Sequence, residues 1–153
     1  MLNITNQNLY QKVLNSLCRK NGLKEIKVIF DHSLLTRENI GGQYNFIHEI
    51  IVIDEREDPL LFKEILFHEF RHYWQSKKYK DIFIWWTMTA GPIYKQYYNT
   101  KFCSIEEDAR VFGKSLGRKN RIDLLEFYDI RQLMKFKNNP LGLKYAIDIM
   151  EEL

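Results

Sequence analysis

The stretch from Asp58 to Lys78 reads DPLLFKEILFHEFRHYWQSKK and decides the fold. Asp58 offers an N-cap and Pro59 a first residue with its φ already set for a helix. The run that follows, Leu60 to about Lys77, contains neither Gly nor Pro. At about 100° per residue, Leu61, Ile65, His68, His72 and Gln75 gather on one side, and Phe62, Leu66, Phe70, Tyr73 and Trp74 cover the rest. A helix apolar nearly all round is expected to be central and buried. His68 and His72 stand one turn apart on it, so both imidazoles can face a single ion, with Glu69 beside them to hold a water.

Upstream, Leu9, Val13, Leu14, Leu17 and Cys18 at helical spacing predict a first helix over about Thr5 to Asn21, ended by Asn21-Gly22. Glu25 to Asp31 alternates and is rich in β-branched residues. Gln43 to Ile47 and Glu49 to Asp54 read as two further strands after a flexible Gly41-Gly42, so a small sheet precedes the motif. Downstream, Ser104 caps a helix expected to run from Ile105 to about Gly117, its acidic first turn favoured by the helix dipole. Two more amphipathic stretches, about Ile122 to Lys137 and Leu141 to Leu153, flank the stop at Asn138-Asn139-Pro140. With no repeat, low-complexity run or linker, one domain over 1–153 is expected.

The bulk properties bound the function. The chain has 153 residues, 45% hydrophobic and 14% aromatic, enough for a core. A net charge of +3, from 23 basic and 20 acidic side chains, lacks the concentrated basicity that nucleic-acid binding usually shows. The basic run Lys114, Arg118, Lys119 and Arg121, with the many tyrosines as stacking surfaces, is the basis for a nucleic-acid alternative. Charges at a helix end ordinarily serve the dipole and solvation. Cys18 and Cys103 form neither a disulfide framework nor a zinc knuckle, and the N-terminus lacks a secretory pattern, so a cytoplasmic protein is expected. The apolar stretch Ile82 to Tyr94 is shorter than the roughly 20 residues of a spanning helix and reads as buried or pocket-lining. The abundance of Lys, Ile and Asn suggests an AT-rich microbial or phage genome.

A catalytic zinc site takes a third protein ligand and keeps one position for water. No His follows His72, and Gln75 and Lys78 occupy the places where a longer histidine motif needs Gly and His, so the third ligand is expected to be a carboxylate. Glu106, Glu107 and Asp108 compete. Ala109, Gly113 and Gly117 make a small-residue stripe that lets their helix approach the motif helix, and Glu106 lies within about 60° of its centre. Geometry therefore selects Glu106, with Glu107 next. Asp108 is otherwise a dipole partner or a hydrogen-bond partner for a ligating His. Candidates to stabilise an oxyanion are Tyr94, Tyr97, Tyr98 and Arg110. His32 and His48 read as structural or surface histidines.

From Gly42 to Gly113 the sequence resembles the ImmA/IrrE class of gluzincin-type metallopeptidases, with some similarity to SprT-like proteins. The resemblance lies in Gly42-Gln43-Tyr44, Ile51-Val52-Ile53, His68-Glu69-Phe70-Arg71-His72-x-x-Gln75, and the segment Glu106 to Gly113. It departs at Arg110, where the family often has Asn, and in the aromatic insertion Ile82 to Tyr98. It implies an α+β, zincin-like fold: a small mixed or antiparallel N-terminal sheet on a central buried HExxH helix, with a helical C-terminal half. It also implies Zn2+ held by His68, His72 and Glu106, Glu69 as general base, and peptide-bond hydrolysis. The substrate it implies is a regulatory protein, often in phages or mobile elements. A zinc protein that regulates a partner without hydrolysis is the alternative.

Overall fold

The computed structural model describes residues 4–80, 83 and 104–119. Along them run α1 (Ile4–Lys20), β1 (Lys27–Phe30), β2 (Gly42–Asn45), β3 (Ile50–Ile53), α2 (Phe62–Lys78) and α3 (Ser104–Lys114), an α+β arrangement. The helices expected over 122–137 and 141–153, the aromatic stretch 82–98 apart from Phe83, and with them Tyr94, Tyr97, Tyr98 and Arg121, lie outside the described residues. Internal contacts divide the chain into two units, Met1–Trp74 with Ala109–Asn120 and Gln75–Asp108 with Arg121–Leu153. Both α2 and α3 run continuously from one unit into the other. Among the described residues no helix is long and apolar enough to cross a membrane.

The three strands form a mixed sheet in the order β1-β3-β2. β1 runs parallel to β3, with Val28 opposite Ile51; β2 runs antiparallel to it, with Tyr44 opposite Ile51. Ile51, Val52 and Ile53 are all buried, as a central strand covered on both faces requires. The β2–β3 turn is tied by Asn45, whose Oδ1 accepts the Ile47 and His48 N–H groups, and it places Glu49 at φ 53°. Helix α1 lies against β1. Its Gln11 side chain donates to the Ile26 carbonyl and accepts from the Val28 N–H, so the outer edge of β1 is capped by a side chain. Tyr10, Phe30 and Phe62 then pack ring to ring, with centroids 5.0 to 5.9 Å apart, joining α1, β1 and α2.

The motif helix begins as expected at Asp58, which accepts the Leu60 N–H, although Pro59–Leu61 forms a 3-10 turn before α2 proper. Phe62, Leu66, Phe70, Tyr73 and Gln75 are at most 1% exposed. Gly42 does not precede the strand, as the sequence reading has it. It is the first residue of β2, where a Cβ would lie 2.5 Å from Ile65 Cγ2, 3.2 Å from the Val52 carbonyl oxygen and 3.3 Å from Glu69 Cγ. Its missing side chain lets β2 close on α2. The strand expected over Glu49 to Asp54 contains β3, the central strand, paired on both sides.

Gly42→Ala is expected to destabilise by about 1–3 kcal/mol through overpacking against Ile65, read as a lower urea midpoint at unchanged slope. A second expectation concerns acid. Asp54, 7% exposed at the end of β3, accepts from Arg56 Nε at 2.9 Å and Nη2 at 2.8 Å. These guanidinium bonds hold its carboxyl down at about 2. A depressed folded-state value means stability present above the ordinary value of about 4 and lost as pH falls through about 2. Arg56→Ala should flatten that acid limb, which pH-dependent urea unfolding measures.

Candidate metal centre

Two contacts fix α3 against α2, and they run in opposite chain directions. Toward the N-terminal part of α2, a Cβ on Gly113 would meet the Glu64 carbonyl oxygen at 2.9 Å and His68 Cβ at 3.0 Å, so only a glycine permits this approach. Toward its C-terminal end, the Gln75 amide donates to the Ile105 carbonyl at 3.0 Å and to Asp108 Oδ2 at 2.9 Å. Glu106 and Gly113, seven residues apart, lie within about 20° of each other around α3, so both flank the motif helix.

The two imidazoles converge. His68 Nε2 and His72 Nε2 are 3.2 Å apart, with the rings at 76° to one another. Two nitrogens bound at about 2.0–2.1 Å to one tetrahedral ion stand roughly 3.3 Å apart, so this separation suits a shared ion. His68, His72 and Glu106 form a group whose ligand atoms all lie within 4.8 Å of one another. Two imidazoles and a carboxylate are a fitting donor set for zinc, and their partial burial, with His72 8% exposed, limits competing solvent. The expected Glu106 is thus the carboxylate brought to the histidines. Glu107 is half-buried and outside that group.

Glu69 is 8% exposed and points toward the sheet. Its Oε2 accepts the Tyr44 N–H at 2.7 Å. Because the Asp54 N–H bonds the Gly41 carbonyl, the antiparallel alternation turns the Gly42 and Tyr44 backbone groups away from β3. Glu69 therefore reaches the outer edge of β2, a contact no motif signals because it joins a side chain to a backbone group 25 residues away. The Tyr44 ring in turn packs on Tyr73, whose hydroxyl donates to the Lys24 carbonyl. Burial pushes that hydroxyl up to about 12, which keeps it a neutral donor.

Asp108 corrects the sequence reading. The small-residue stripe places it away from the motif helix, yet it is fully buried and bonded to Gln75. The buried face of α3 centres on Ile105, Asp108, Ala109 and Phe112, rotated from the stripe, because Phe112 packs on Phe67 and Phe70. The helix also ends at Lys114 rather than Gly117, whose N–H turns back to the Phe112 carbonyl. Arg71, 4% exposed, lies over the Trp74 ring at 3.7 Å and the Phe112 ring at 4.9 Å, a second brace between the helices. Arg110 is exposed, one turn beyond Glu106.

His48 is exposed, as expected of a surface histidine. His32 pairs with Glu55, Nδ1 to Oε1 at 2.6 Å, and with Asp31 makes a second acidic-histidine group that the sequence reading does not anticipate. Its groups serve the local turn. Asp31 caps the 3-10 segment by accepting the Ser33 N–H, and Glu55 accepts the His32 N–H. Comparison with family models, with curated proteins and with solved structures gives no match.

Gln75→Leu would remove the buried amide that donates to the Asp108 carboxylate and the Ile105 carbonyl, at a cost of about 1–3 kcal/mol. The same change is expected to weaken zinc binding, since Glu106 belongs to the turn that Gln75 holds. Urea unfolding and a zinc titration read the two effects separately.

Proposed function

We propose that the chain is a cytoplasmic zinc-dependent peptidase of zincin-like architecture, similar to the ImmA/IrrE class, acting on a protein or peptide substrate. The observation that carries this reading is the convergence of His68, His72 and Glu106, with Glu69 on the adjoining residue of the same helix. When bound to these three ligands, zinc supplies Lewis acidity and acidifies water.

The chain's own residues then divide the work. Glu69, held through Oε2 by the Tyr44 N–H, keeps Oε1 to accept a proton from the attacking water and to return it to the departing nitrogen. That bond orients the carboxylate before substrate arrives, so little reorganisation is required at the moment of reaction. The outer edge of β2 suits an extended peptide, whose backbone can pair with groups that β3 does not use. The outer edge of β1 is taken by Gln11, and on the outer edge of β2 the Tyr44 N–H is taken by Glu69, so a peptide at β2 would pair beside that bond and not through it.

Glu69→Gln keeps the shape and loses the base. It is expected to retain zinc by elemental analysis while cleavage of fluorescently labelled casein falls by about 10²- to 10⁴-fold. Glu106→Ala should lose zinc, and Glu107→Ala should keep it. A zinc-loaded wild-type protein that cleaves no faster than Glu69→Gln would overturn the peptidase reading and leave a zinc protein that acts by binding.

A further inference from the structure

Beyond Glu106, α3 carries cations at successive turns. Arg110 and Lys114 follow at four-residue spacing, and Arg118 continues the series past the end of the helix; all three are exposed. They meet around an open cavity of about 520 Å³ whose remaining lining is Val111, Ser115, Leu116 and Lys119. Among the described residues no carboxylate lines it. Among the described residues, Lys114, Arg118 and Lys119 form no ion pair, unlike Arg19 and Arg56, which are matched to Glu25 and Asp54. Like charges collected round one concavity raise a positive potential that a diffusing anion feels.

Resting on the peptidase reading, we infer that this cavity is a specificity site for acidic side chains of an extended polypeptide substrate. Two features select a peptide over a nucleic acid. Among the described residues the lining has no aromatic ring on which a base can stack, and Val111 and Leu116 give the cavity an apolar part suited to side chains. The net charge of +3 is also far below the basicity of a phosphate-tracking surface. Spacing sets the register. Glu106 and Lys114 are eight residues apart on α3, about 12 Å of helix rise, which an extended peptide covers in about four residues. Acidic residues about four positions to one side of the cleaved bond therefore reach the cations, while the bond itself lies beside Glu69.

The test measures binding apart from cleavage. Acidic, neutral and basic versions of one labelled peptide, with Glu, Gln or Lys at the same positions, are titrated by fluorescence anisotropy against the zinc-loaded full chain carrying Glu69→Gln. The acidic version is expected to bind about tenfold more tightly than the neutral one, with the difference shrinking at high salt. Lys114→Glu with Arg118→Glu should abolish the preference while leaving zinc content and melting temperature unchanged; Lys119→Glu alone should reduce it. Equal binding of acidic and neutral peptides overturns the inference. So does a single-stranded oligonucleotide that binds more tightly than the acidic peptide and is lost in the same variants. Acidic preference without cleavage by wild-type protein leaves the surface standing and removes the peptidase, whereas cleavage without acidic preference does the reverse.

Discussion

The absence of a side chain at Gly113 is the constraint on which the site depends. A methyl group there would press on the backbone of α2 at Glu64 and on His68, and backbone cannot move aside as a side-chain tip can. With the helices in contact at this point, the seven-residue interval back to Glu106 sets where its carboxylate lies around α3. The Gln75 bonds to Ile105 and Asp108 hold the other end of that interval. At Gly113 the contact is purely steric, and between Gln75 and the Ile105–Asp108 turn it is a purely polar hydrogen-bonded clamp.

The second close approach is made by the sheet to the same motif helix. Gly42 brings β2 onto α2, and the Tyr44 N–H there meets Glu69. Both glycines act by what they leave out, and each stands beside a residue of the motif helix. The motif supplies two imidazoles and a carboxylate, but what packs against them comes from a strand and from another helix. Buried aromatic packing gives these surfaces their rigidity: Tyr44 on Tyr73, Phe112 on Phe67 and Phe70, and Arg71 between Trp74 and Phe112.

Much of this was legible locally. The Asp58-Pro59 start, the period of the apolar residues in α2 and the β-branched run of β3 each encode structure over a few residues, where dihedral preference and periodicity decide. The choice of Glu106 also came from helical geometry, since a residue's angle around its own helix requires no partner. The rotation of α3 did not follow as directly. The small residues pointed to one face, but the ring of Phe112 needed space between Phe67 and Phe70, and that need turned Asp108 inward.

What the sequence by itself determined is the inventory: two imidazoles one turn apart, a carboxylate between them, and acidic residues on the first turn of a later helix. Spacing along one helix is a covalent property and survives without any tertiary context. Only the tertiary structure decided which strand is central, that Gln11 closes one sheet edge, and that Tyr44 holds Glu69 at the other. Those are pairings between groups far apart in the chain, made by backbone donors and acceptors that every residue carries alike, so residue identity has nothing to mark them with.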